Sequence, residues 1–285
     1  MTLEGHGQVT LTDSSLNTIT GTSAAARLEN VDNTISGSGQ FGNGQLTLIN
    51  DASGVIDGAG DAADPLVLNT GSNTIQNAGT LLSNGAGELL VQSAVTNTGT
   101  MLANSSGGAG RLIVSGVVSN SGLMEATNGA LVSIENAVNN TGTIEALNGG
   151  DVVISGVTTG SGAGTITAGT LEFGAAASTN ITFTGSGTLK LDTSSSYTGS
   201  VSGFTIGDTF DLTDINFATV QTPVFSGDAT GGTLTVTDGV HTANNALLGN
   251  YLASTFVASS DGHGGTFITD PPAAARARAQ LLRVA

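Results

Sequence analysis

The sequence predicts an all-β chain: a parallel β-helix followed by a small antiparallel β module. Three observations carry that prediction. An Asn-x-Gly motif recurs at Asn77-Ala-Gly79, Asn97-Thr-Gly99, Asn120-Ser-Gly122 and Asn140-Thr-Gly142, in steps of 20, 23 and 20 residues. Between the motifs apolar residues alternate with others, as in Ile144-Glu145-Ala146, and a period of two is the strand signature. Near residue 200 the repeat gives way to Asp-Gly turns between alternating residues, the strongest short-range hairpin signal.

A repeat of about 20 residues with strand content marks a solenoid. Aligning the segments with a three-residue insertion near Ser105–Gly110 brings four apolar columns into register. They are Leu81/Met101/Met124/Ile144, Leu89/Leu112/Val132/Val152, Val91/Val114/Ile134/Ile154 and Val95/Val118/Val138/Thr158. One segment cannot bury its apolar side alone, but stacked segments turn each column into a continuous inner ladder. The glycines and asparagines of the motif suit bends because both tolerate positive φ. Asparagines stacked in one column are expected to hydrogen-bond along the axis.

Outside the central block the repeat loosens. Asn-Thr-Ile recurs at Asn17–Ile19, Asn33–Ile35 and Asn73–Ile75, and Gly164–Phe173 and Gly187–Leu191 read as further strands. The solenoid is therefore expected over residues 1–199, as about ten rungs spanning on the order of 45 Å. Glycine at 43 of 285 residues raises the alternative of disorder, but the 38% hydrophobic residues that sit in register oppose it.

Residues 200–270 are expected to form an antiparallel capping module. Thr233–Ala243 turns at Asp238-Gly239 and Thr255–Ile268 turns at Asp261-Gly262. Such a module protects the last rung, which is otherwise an open sheet edge. Pro271-Pro272 ends the strands, and 271–285 reads as a tail or linker.

With 22 acidic and 6 basic residues the formal charge is −16, which repels phosphate backbones and argues against a nucleic-acid partner. Cysteine is absent, so neither disulfides nor thiolate metal sites are available. No apolar run of about 20 residues is present to span a membrane as a helix. The start lacks a basic region followed by an apolar run and opens in strand-like Gln8–Thr12, so the chain reads as part of a longer protein.

The central block, with Asn140-Thr-Gly-Thr-Ile-Glu-Ala146 and Gly150-Asp-Val-Val-Ile154, resembles the passenger regions of bacterial autotransporters and filamentous haemagglutinin-like adhesins. The segment from Gly207-Asp-Thr-Phe-Asp-Leu212 through Gly232–Gly239 to Asp261–Thr266 is similar to a C-terminal module of large secreted repeat proteins of Gram-negative bacteria. The resemblance implies a right-handed parallel β-helix, secreted or at the cell surface, often adhesive. The membrane β-barrel that follows an autotransporter passenger has no counterpart in this sequence.

Several side chains invite chemistry. Asp57, Asp61 and Asp64 lie on a glycine-containing loop and form a candidate calcium site, as do Asp208, Asp211 and Asp214, although neither spacing matches an EF-hand. On one strand Asp208 and Asp214 share a face and Asp211 takes the other. His241 and His263, with Asp238 and Asp261, are a weaker zinc candidate without a firm third ligand. Gly5-His6-Gly7 and Gly262-His263-Gly264 echo a motif of β-helical polygalacturonases. Glycoside hydrolysis also needs paired carboxylates, and no basic substrate-binding motif accompanies either histidine. Arg111 should meet Glu88 on the neighbouring rung, and Glu125 and Glu145 should stack as like charges. An ice-binding face needs outward threonines at a fixed column, and the sequence shows no such regularity.

The expectation is thus a non-enzymatic structural or adhesive segment without a cofactor, calcium aside. It would act through its long surface by multivalent contact with polysaccharide, a host or cell surface, or other copies of itself. A polysaccharide-active lyase or hydrolase on the same scaffold, and a calcium-dependent secretion module, are the alternatives.

Overall fold

The structure is a computed structural model and describes residues 1–60, 63–105 and 110–270. Among these, strands and one 3-10 turn at Ser194–Ser196 are the only regular elements. The chain winds through about nine turns, laying one strand on each of three sheets of eight, thirteen and twelve strands. A representative turn runs from Val95–Asn97 on the first sheet to Thr100–Asn104 on the second and Arg111–Val114 on the third. Val118–Asn120 then returns to the first sheet, parallel to the strand one level before it.

The four apolar columns expected from sequence are the strand registers found. Leu81 pairs with Met101, Met101 with Met124 and Met124 with Ile144, and the other three columns follow suit. Each inward side chain covers the one above, and most are fully buried. This continuous apolar burial is what holds the coil, since no single turn has a core of its own. The expected insertion also lies where placed: the path from Asn104 to Arg111 corresponds to the shorter path from Asn84 to Glu88.

A second ladder runs beside the apolar ones. Asn30, Asn50, Asn77, Asn97, Asn120 and Asn140 are all buried, and each Nδ2 donates to the Oδ1 of the next at 2.7–2.9 Å. The same Nδ2 groups also reach bend carbonyls, as Asn97 does to Gly99 and Leu123. A buried amide costs stability unless its hydrogen bonds are made, and stacking at the strand spacing makes them level after level.

The motif glycines serve a different purpose from the one the sequence suggested. Gly79, Gly99, Gly122 and Gly142 do not have positive φ. They are required because the bends stack backbone on backbone: a Cβ on Gly122 would lie 2.0 Å from the Gly99 carbonyl oxygen. Positive φ belongs instead to the corner between the second and third sheets, at Asn128-Gly129 and Asn148-Gly149. Nor are the three Asn-Thr-Ile copies one column. Thr18–Thr20, Thr34–Ser36 and Ile75–Asn77 lie on the third, second and first sheets respectively, because an asparagine suits any corner that precedes a strand.

Beyond Ile154 the core turns aromatic. Phe173, Phe183, Phe204 and Phe210 fill the interior, with Phe204 and Phe210 ring centroids 4.7 Å apart. Parallel pairing continues through Ser200–Ser202 and Asp208–Leu212, within the segment read from sequence as the antiparallel module. Two hairpins then finish two of the faces. Gly231–Thr237 and Thr242–Leu248 pair across the Asp238-Gly239 turn and extend the second sheet. Val257–Ser260 and Thr266–Thr269 pair across the Asp261-Gly262 turn, and the latter runs antiparallel to Asp208–Leu212. At the opposite end Leu3, Val9, Leu11 and Ile19 are only partly buried against the core. The tail 271–285 lies outside the described residues.

Candidate functional site: a groove along the third sheet

Outward residues of a stacked strand form columns just as inward ones do. On the third sheet the middle outward column starts with Thr18 and Gln40 and then turns apolar, with Val67, Leu90 and Ile113 in succession. After Ser133 it runs Val153, Glu172, Lys190, Asp211 and Phe267 on adjacent strands. The column beside it carries Leu131, Asp151, Thr170 and Thr188. These two columns line a groove of about 350 Å³. A second hollow of about 350 Å³ shares Asp151, Thr170 and Thr188 and continues to the glycine-rich corner at Gly149, Gly169, Gly187 and Gly207.

The electrostatics of the groove follow from its packing. Lys190 Nζ donates to Glu172 Oε2 at 3.1 Å. Partial burial pushes the Glu172 carboxyl up; Lys190 opposes that and Asp192 adds to it. The Asp211 carboxyl is pushed up to about 6, first by burial and then by Asp261, with Lys190 pulling the other way. Its Oδ1 has neither solvent contact nor a hydrogen-bond partner. Burial lowers the affinity of Lys190 for its proton, and the carboxylates of Glu172, Asp192 and Asp211 more than restore it.

The residues singled out from sequence are mostly scattered. Asp57 points outward on the second sheet between Ser36 and Leu82, and burial pushes it up to about 6 against a backbone hydrogen bond from Asn84. Asp64 Oδ1 accepts the Ser15 N–H at 3.1 Å, and Asp61 lies outside the described residues. Asp208 is inward and buried, with Oδ2 accepting the Thr205 N–H at 2.6 Å. Asp214 does not share that face: the strand ends at Leu212, and Asp214 Oδ2 accepts the Ser194 N–H at 3.0 Å from the turn beyond. Of that trio only Asp211 enters the groove. Among the described residues no three His, Asp or Glu side chains are grouped as metal ligands.

The histidines sit in turns. His6 packs on Asp32, through its N–H at 3.1 Å and Nδ1 at 3.5 Å. The His263 N–H donates to Asp261 at 2.6 Å. Asp238 accepts the N–H groups of His241, Asn216 and Val240, which hold its carboxyl well below the usual range. Arg111 meets Glu88 at 3.3 Å, and Glu125 stacks on Glu145, with burial and then that neighbour pushing its carboxyl up. Outward hydroxyls do share a column on the second sheet, at Thr165, Thr182 and Ser202, but only over three levels, and Thr182 and Ser202 hydrogen-bond to each other.

No family model, curated protein or solved structure matches this chain. Among the described residues no helix is long and apolar enough to cross a membrane.

Proposed function

We propose that the chain is a structural and adhesive β-solenoid segment of a secreted or cell-surface protein of a Gram-negative bacterium. On this reading it is of the kind found in autotransporter passengers and filamentous haemagglutinin-like adhesins, and it binds polysaccharide along its side rather than performing catalysis. The observation that supports this is the outward face of the third sheet. It offers an unbroken series of side chains, one per strand level, from Val67 to Phe267. Strand levels about 4.8 Å apart suit a ligand that also repeats, since each further level adds a weak contact at little extra entropic cost.

The test is affinity against polymer length. Size-fractionated neutral polysaccharides titrated into the whole chain should bind more tightly per polymer as the polymer lengthens, well past the length one groove covers. Affinity that reaches its ceiling at a short oligosaccharide, or no binding to any polysaccharide, sinks the multivalent reading. Turnover of the polymer during the titration would favour the lyase or hydrolase alternative instead.

A further inference from the structure

We propose that the groove between Val153 and Phe267 is a subsite for a neutral oligosaccharide, with the Phe267 ring as its stacking wall and Asp211, Glu172, Thr170 and Thr188 as its hydrogen-bonding edge. This rests on the polysaccharide reading above and adds to it one anchoring position at a defined place.

Four observations converge on the groove. The first is shape. The groove crosses successive strands from Leu131 to Phe267 and so runs along the solenoid axis, while the second hollow, sharing Asp151, Thr170 and Thr188, widens it sideways towards the glycine corner. An extended glycan laid there advances by close to one sugar residue per strand level.

The second is the aromatic. Phe267 is an outward residue of Thr266–Thr269, and antiparallel pairing sets it beside Asp211 at the end of the charged column. Near this end Phe204, Phe210 and Phe256 are committed to the core, Phe225 packs against it, and Phe217 is exposed but does not line the groove. Phe267 instead lines the groove, where an apolar ring face suits the C–H face of a sugar.

The third is the polar edge. A sugar hydroxyl needs acceptors as well as donors, and carboxylates beside threonine hydroxyls supply both. Glu172 is engaged by Lys190, which fixes its direction. Asp211 lines the groove beside it and adds a second carboxylate acceptor for ligand hydroxyls.

The fourth is charge. Asp151, Glu172 and Asp211 face one lysine, so a uronate or sulfated glycan meets net repulsion while a neutral one does not.

The experiment titrates the full chain with neutral gluco-, manno-, galacto- and N-acetylgluco-oligosaccharides, and with oligogalacturonate, by calorimetry and amide NMR. At least one neutral series should bind and shift the Thr170, Thr188, Lys190 and Phe267 resonances, and the uronate should not. Phe267→Ala should weaken that binding about tenfold. Phe267→Tyr should keep it, and Asp211→Asn should weaken it severalfold while the chain stays folded. Should Phe267→Ala perturb folding, Phe267→Leu and Asp211→Asn carry the same test. The subsite is overturned if no neutral oligosaccharide shifts those resonances, if the uronate binds as well, or if a folded Phe267 variant lacking a ring binds like the parent. Retained length-dependent polysaccharide binding in such a variant means that the subsite fails and the surface reading stands. Loss of all polysaccharide binding by the parent chain removes both.

Discussion

Residues 75–154 and 163–212 follow the same three-sided path but are held by different means. The central turns rest on aliphatic columns, stacked bend glycines and the Asn77–Asn140 part of the amide ladder. The later turns have no continuation of that ladder; their interior is closed by phenylalanines, and two hairpins finish the second and third sheets. Repetition is compulsory only where backbone meets backbone. Backbone stacked on backbone tolerates one residue type at each level, whereas an aromatic plug accepts many neighbours. The charged and aromatic groove lies on the later, less repetitive side, where the outward column is free to vary.

At the bends one added methyl group should cost the most. Gly122→Ala places a Cβ 2.0 Å from the Gly99 carbonyl, with the Thr98 backbone close behind. The rung must shift, and the expected loss is about 4 kcal/mol or more, or failure to fold. Gly262→Ala in the terminal hairpin meets nothing within 4 Å and suffers only from its φ of 85°, which costs about 1–2 kcal/mol. Urea denaturation of both variants checks this, and equal losses would mean that stacking does not distinguish the two regions.

Next in size is the ladder. Asn97→Leu keeps the volume but leaves the Asn120 Oδ1 without the donor it has at 2.7 Å, and the Asn77 Nδ2 without its side-chain acceptor. With the lost carbonyl bonds to Gly99 and Leu123, the expected cost is about 3 kcal/mol. Asn140→Leu, at the end of the series, should cost less, because Asn140 has an amide neighbour on one side only. A smaller loss at Asn97 than at Asn140 would show that the amides act singly rather than as a ladder.

The columns were legible in the sequence because stacking demands a constant period, and the 20-residue step puts equivalent side chains in register. Asn30 and Asn50 carry no such signal because their bends are longer: Asn50-Asp-Ala-Ser-Gly54 takes the place of Asn-x-Gly. The groove was hardly legible at all. Glu172, Lys190 and Asp211 follow steps of 18 and 21 residues without a motif, and Phe267 joins them only through an antiparallel pair from a distant hairpin. For Asp211, adjacency in sequence to Asp208 and Asp214 suggests a cluster that alternation along the strand and the turn after Leu212 take apart.

The smallest expected effect is one of pH, and it sets outward-facing carboxylates against a turn carboxylate. Asp57, in the early turns, and Asp211, in the later ones, are both pushed up to about 6 from 3.8 by burial. Their native forms therefore bind protons more tightly than the unfolded chain does between about pH 4 and 6. Stability rises as pH falls through that window, by about 1 kcal/mol for each group once partial exposure to water is allowed for. Asp238 works in the opposite sense: its carboxyl is held down by three backbone N–H groups, so its contribution is present above pH 3.8 and is lost as acid protonates it in the native turn. The melting temperature should then climb by a few degrees from pH 7 to about 5 and drop again below about 4. Asp57→Asn and Asp211→Asn should each remove part of the climb without touching the acid limb. A melting temperature that falls steadily from pH 7 to 5 would mean that the two carboxylates are as well solvated as their exposed neighbours, and that the Asp211 edge of the groove is not the desolvated acceptor its packing makes it.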